Sequence, residues 1–249
     1  MSVVGVLGEL LITAGVLVLL FLGWQLWWND FIVAGQQRTD ATELSQTWTK
    51  DHPVAPSNTA QPEETEKPAD TAADPVVVEQ ANHGDDFAIL YVPRFAEYEK
   101  NYSRVITEGV DHVAILNAGR VGHYPDTQLP GEAGNFVLAA HRSAYGGGMH
   151  WITDFRLGDR IYVETADGWY SYAFRDLEFV PDTQIDVLAP VPRNGGVTPT
   201  DSIITLTSCN PLWSTAERVI AYGVFDSFRP RAAGAPAEIT SAVAAHEES

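Results

Sequence analysis

The sequence predicts an all-β domain, a small closed or nearly closed barrel of about eight strands. Three patterns carry that reading. From Phe87 to Phe228 seven short apolar runs, FAILYV, HVAIL, NFVLAA, RIYVET, WYSYAF, SIITLT and RVIAYGVF, alternate with turn signals, as short strands do. Ala166-Asp167-Gly168 separates two of them, and Asp-Gly supplies the positive φ angles that a tight hairpin needs. Helical periodicity within the stretch is confined to Met149 to Arg156, closed by Gly158-Asp159, so one or two short helices complete the domain.

The segments around the barrel read differently. Leu10 to Trp28 is 19 residues without a charge, about the length that spans the hydrocarbon core of a bilayer. Trp24, Trp27 and Trp28 gather at its C-terminal end, as aromatic side chains do at a membrane interface. No Lys or Arg precedes Arg38, so the basic start of a cleavable signal peptide is missing, and residues 1–28 are expected to be a single-pass anchor. From Asn29 to Asp86 the chain carries 12 acidic and 3 basic residues and is rich in Pro, Thr, Ala and Gln, which predicts a disordered, self-repelling linker. The tail from Arg229 to Ser249 lacks an apolar period and is expected to be disordered as well. Phe87 to Phe228 is then the one folded domain, able to fold by itself.

Charge and cysteine content bound the chemistry. A formal charge of −18, from 15 Lys plus Arg against 33 Asp plus Glu, argues against nucleic acid or anionic headgroups as partners. The single cysteine, Cys209, cannot form an internal disulfide. It ends the run SIITLTSC, where Asn210-Pro211 forbids further strand, and strand ends are where folds display reactive side chains. An inert buried thiol is the competing reading.

A cysteine nucleophile needs a proton donor and a group that neutralises the tetrahedral oxygen. Among seven histidines, His52 and His246 fall in the flanks and His83 at the domain edge. His112, His123 and His150 lack a strand-end placement, whereas His141 directly follows NFVLAA and precedes a glycine-rich loop. Arg218 opens the run after the cysteine and keeps its charge at any working pH. Arg142 is the second candidate, although alternation along the strand points it away from the face of His141.

The surrounding residues narrow this Cys, His, Arg set. TLTSC followed nine residues on by Arg218, with NFVLAAHRS 68 residues before the cysteine, resembles the sortase family of cysteine transpeptidases. VGHYPDTQLPGEAGN and DGWYSY are similar to its class E branch, found in Gram-positive actinobacteria. The resemblance covers Phe87 to Phe228 and implies a sortase-type β-barrel with Cys209 as nucleophile, His141 as catalytic histidine and Arg218 as active-site arginine. Thr205, Leu206, Thr207 and Ser208 match the family's TLXTC pattern as substrate-contacting positions, with serine in place of the usual last threonine. Ala140 stands where many relatives have glycine. Arg142 and Tyr145, in the loop after His141, complete the expected substrate-contacting set.

The implied reaction is attack by Cys209 on the threonine carbonyl of a C-terminal sorting signal of Leu-Ala-X-Thr-Gly or Leu-Pro-X-Thr-Gly type. A thioester forms, and an amine of a peptidoglycan precursor resolves it. The implied partners are secreted proteins bearing such signals, that acceptor, and the cytoplasmic membrane through the N-terminal helix, with the catalytic domain outside the cytoplasm. No cofactor and no metal are implied, although loop carboxylates such as Asp126 or Asp159 leave calcium open. A papain-like protease has its cysteine ahead of its histidine, the reverse of the order here. From another class, a membrane-tethered, non-enzymatic β-domain that binds cell-wall proteins would make Cys209 merely structural.

Overall fold

Parallel pairing is what distinguishes the architecture from a simple run of hairpins. The computed structural model describes residues 2–24, 28–51 and 74–244. Its strands are β1 (Asp86–Tyr91), β2 (Arg104–Glu108), β3 (Val121–His123), β4 (Gly134–Ala139), β5 (Arg160–Glu164), β6 (Gly168–Pro181), β7 (Ser202–Asn210) and β8 (Glu217–Pro230). They close into a barrel in the order β1-β2-β3-β4-β7-β8-β6-β5. The β2–β3 and β4–β7 pairs are parallel and the others antiparallel. Leu90, Ile106, Phe136, Leu138, Ile204 and Leu206 fill the interior, each such side chain contributing about 1.5–3 kcal/mol on burial.

The all-β expectation holds, with local differences. HVAIL is no strand: Ile115 and Leu116 N–H both donate to Asp111 O, and a 3-10 turn follows over Leu116–Ala118. A five-residue apolar run cannot tell a strand from a buried turn. Two strands were not anticipated, β2 and the short β3. Both are buried along their whole length, so neither shows the alternation of a half-buried strand. Around Met149 to Arg156 only Ile152–Asp154 is helical, as a single 3-10 turn.

The flanks depart most from expectation. Helix α1 (Val3–Gly23) has 21 residues, all without burial against the barrel; at 1.5 Å per residue it is about 31 Å long and apolar enough to cross a membrane. Trp24 and Trp28 are exposed beyond its end, while Trp27 lies outside the described residues. Residues 29–51 are not a disordered tether but a second helix, α2 (Asn29–Asp51). Ala34, Gln37, Ala41 and Ser45 are buried, and their spacing of three and four residues puts them on one face. Polar contacts dock that face: Gln37 Nε2 donates to Ala118 O at 3.0 Å, Arg38 pairs with Glu99 at 2.6 Å and Arg120 with Asp40 at 2.8 Å. Residues 52–73, the most biased part of the expected linker, lie outside the described residues.

The tail is likewise docked up to residue 244. Arg231, 4% exposed, pairs with the fully buried Glu164 at 2.8 Å. Tyr91 and Ser45 donate to the same carboxylate at 2.6 and 2.7 Å. Helix α3 (Thr240–Ala244) follows, with Ile239 and Ala242 packed beside Tyr91, Val105, Trp169 and Ala41. Composition hid both flanks because their partners are distant in sequence; residues 245–249 lie outside the described residues.

Candidate active site

Two strand pairings assemble the site. In the parallel β4–β7 pair Ala139 lies opposite Thr207, and the register continues past the strand: Ala140 N–H donates to Thr207 O and Ser208 Oγ to Ala140 O at 2.7 Å. His141 and Cys209 are the next residues on the two chains. In the antiparallel β7–β8 pair Cys209 lies opposite Arg218. Cys209 thus sits at one barrel end, with His141 just past the end of one neighbouring strand, β4, and Arg218 on the other, β8.

Cys209 is half-buried and free. It shares a cavity of about 510 Å³ with His141, Arg142, Tyr145, Trp213 and Asp30. His141 Nε2 is 2.8 Å from Asn117 Oδ1. A carbonyl oxygen only accepts, so Nε2 carries the hydrogen and Nδ1 is left to take up or give a proton. The Tyr145 ring lies 5.1 Å from the imidazole at a tilt of 32°, and His112 meets it edge-on at 5.2 Å. Burial, and then the neighbouring His112, hold the His141 pKa below its ordinary value.

The two candidate arginines differ in surroundings. Arg218 Nη1 donates to Thr215 O at 2.9 Å and Glu217 O at 3.0 Å, which ties one corner of its fork to the β7–β8 loop. Tyr124 lies within electrostatic reach of both Arg218 and Cys209, its phenol pushed up chiefly by burial. Arg142 is not turned away from the histidine's side, as alternation suggested. Strand β4 ends at Ala139, and the following loop turns sharply through Tyr145, Gly146 and Gly147 at φ 52°, 80° and 49°. The Arg142 guanidinium reaches the Cys209 strand, donating to Asn210 Oδ1 and, at 3.1 Å, to Thr153 Oγ1. Burial lowers its pKa from the ordinary arginine value.

Thr205, Leu206, Thr207 and Ser208 do not line this cavity. They lie on a central strand between β4 and β8 and are at most 5% exposed; Thr205 Oγ1 donates to Asn135 Oδ1 at 2.6 Å. Their place is the frame that sets the Cys209 register. Of the loop carboxylates considered for calcium, Asp159 is held by a two-pronged pairing with Arg94, both contacts at 2.8 Å.

Sequence reasoning missed Asn117, Asp30 and Trp213. Asn117 directly follows a run read as strand, Asp30 stands in a segment read as linker, and Trp213 carries no chemical signature. Glycine marks one of these approaches: a Cβ on Gly146 would meet Ala34 N of α2 at 3.0 Å and Val33 Cγ1 at 3.1 Å. Only glycine therefore lets α2 come so close to the loop behind His141.

Comparison with known proteins bears on this geometry. Residues 90–226 match the protein family described as Sortase domain. The chain is 32% identical over 241 residues to sortase SrtE1 of Streptomyces coelicolor, covering 94% of this chain and 60% of that protein. It therefore spans less than two thirds of that relative's length. Sortase SrtE2 of the same organism is 32% identical over 228 residues, covering 88% of this chain and 81% of the relative. Among solved structures, the SrtA sortase from Actinomyces oris aligns with a TM-score of 0.63 and 35% identity, over 66% of this chain and 93% of that one. Sortase E1 from Streptomyces coelicolor, solved with a tripeptide in its active site, aligns with a TM-score of 0.58 and 33% identity, over 63% and 97%.

Proposed function

The chain belongs to the sortase family of transpeptidases, with class E relatives, and from that premise we propose that it is a membrane-anchored enzyme of the cell envelope. It cleaves a sorting signal of Leu-Ala-X-Thr-Gly or Leu-Pro-X-Thr-Gly type between Thr and Gly and transfers the protein to an amine of a cell-wall precursor. The observation that carries this reading is the register that sets Cys209 between His141 and Arg218.

In the first half-reaction the Cys209 thiolate adds to the threonine carbonyl. Protonated His141 gives its proton to the leaving glycine nitrogen as the C–N bond breaks. A histidine with a lowered pKa is a stronger acid and parts with that proton more readily. In the second half-reaction the neutral imidazole takes a proton from the incoming amine. Asn117 holds the ring through Nε2 in both steps. The Arg218 fork, tethered through Nη1, stabilises the developing oxyanion. Arg142 fixes Asn210 beside the nucleophile, and Tyr145 covers the imidazole. The apolar α1 holds the barrel at the outer face of the cytoplasmic membrane.

The test is a peptide assay with the purified protein and signals differing only in Ala or Pro at the second position, with and without an amine. Release of the glycine-led fragment and transfer to the amine are expected, and both are lost in Cys209→Ala. Turnover that survives in Cys209→Ala, at matched folding, refutes the assignment.

A further inference from the structure

Asp30 belongs to the first turn of α2, seven residues beyond the end of the apolar helix, yet it lines the cavity that holds Cys209 and His141. It is the one carboxylate among the residues lining that cavity. A second cavity, of about 710 Å³, adjoins the first and shares Asp30 and Trp213 with it. Its wall includes Tyr98 and Trp151, stacked at 5.4 Å with 10° between their planes.

The charge of Asp30 is unmatched. Its Oδ1 accepts the Gly146 N–H at 3.2 Å, and no Lys or Arg pairs with it among the described residues. The other carboxylate of the second cavity, Glu99, is already satisfied by Arg38 at 2.6 Å and Arg104 at 2.8 Å. In the first cavity Arg142 is engaged by Asn210 and Thr153, and His141 is driven toward its neutral form. An unmatched carboxylate beside a thioester site calls for a cation.

Resting on the transpeptidase reading above, we propose that Asp30 receives the ammonium group of the acyl acceptor, and that the aromatic second cavity houses the acceptor's body. Phe31 lines the second cavity and Trp213 lines both, each more than half exposed, and the exposed Trp28 ring lies 6.5 Å from that of Phe31. Aromatic side chains of this kind settle at a membrane surface, so an acceptor on a lipid carrier reaches Asp30 without leaving the interface. The ammonium bound there loses one proton to solvent. The neutral amine then adds to the thioester carbonyl, its second proton passes to the His141 imidazole, and the C–S bond breaks to release the Cys209 thiolate. Histidine and cysteine return to their starting protonation.

The test uses the full chain in detergent micelles, a sorting-signal peptide, and two acceptors. Nα-acetyl-lysine methylamide carries a single ammonium; hydroxylamine is uncharged at neutral pH. In Asp30→Asn, which keeps an oxygen for Gly146 but loses the charge, the ratio of transfer to the lysine amine over transfer to hydroxylamine falls roughly tenfold, the scale of one partly screened charge contact. Asp30→Glu restores most of it. An unchanged ratio overturns the proposal, because it leaves Asp30 only a structural bond to Gly146. A loss confined to thioester formation also overturns it, by placing Asp30 on the sorting peptide. Wild-type protein that forms no thioester refutes instead the transpeptidase reading itself, and this proposal with it.

Discussion

Replacing Arg231 with methionine tests whether the segment after the barrel is part of the fold. Arg231 donates to Glu164 at 2.8 Å, to Ala166 O at 2.9 Å and to Thr165 O, and its guanidinium lies 5.0 Å from the centre of the Trp169 ring. The variant leaves Glu164, fully buried, with the neutral donors Tyr91 and Ser45 among the described residues. Removing one partner of a buried pair costs about 3–5 kcal/mol. At about 2–4 °C per kcal/mol for a domain of this size, thermal unfolding followed by circular dichroism should move down by about 6–20 °C. Adding Glu164→Gln to the same chain removes the stranded charge, so the double variant should recover part of the loss. A shift under about 2 °C in the single variant, or a double variant no better than the single, refutes the reasoning. By the same contacts, excising Phe87 to Phe228 removes Arg231 and Ser45 together, and that fragment is not expected to retain full stability.

Three further outcomes concern the site. Arg218→Lys keeps the charge but loses the planar fork, so transpeptidation should fall on the order of a hundredfold, nearly as far as in Arg218→Ala; a near wild-type rate in either removes Arg218 from the mechanism. Asn117→Ala frees the imidazole at Nε2 and should lower kcat about tenfold with little change in KM, read from initial rates. His112→Ala removes a positive neighbour that holds the His141 pKa down, so that pKa rises. The limb of the kcat profile on which protonated His141 is lost therefore moves to higher pH, and a limb that stays or moves down counts against the assignment.

That Cys209, His141 and Arg218 meet at one barrel end was legible because each ends or opens an apolar run. What could not be read was the pairing of those runs. Parallel alignment of β4 with β7 joins residues far apart in the chain and leaves no local trace, unlike the hairpin turn at Asp167-Gly168. Helix α2 escaped notice for a related reason: its buried face is built of Ala34, Gln37, Ala41 and Ser45, small or polar residues whose helix is held by Ala118, Glu99, Arg120 and Glu164. Isolated polar helices are marginal in water, and contacts with residues distant in sequence hold this one. Arg142 was misdirected because strand alternation was extended three residues past the end of β4.

The parallel β4–β7 pair also divides the molecule. The histidine arrives on one half of the chain and the thiol on the other, 68 residues later at the Ala140–Ser208 contact, with the exposed Gly195-Gly196 segment between them. A chain laid down from its N-terminus cannot set Cys209 between His141 and Arg218 until β7 and β8, its last two strands, have formed. Cut at Gly195-Gly196, it would become two silent pieces, and the appearance of acyl transfer on mixing would report that they had found each other.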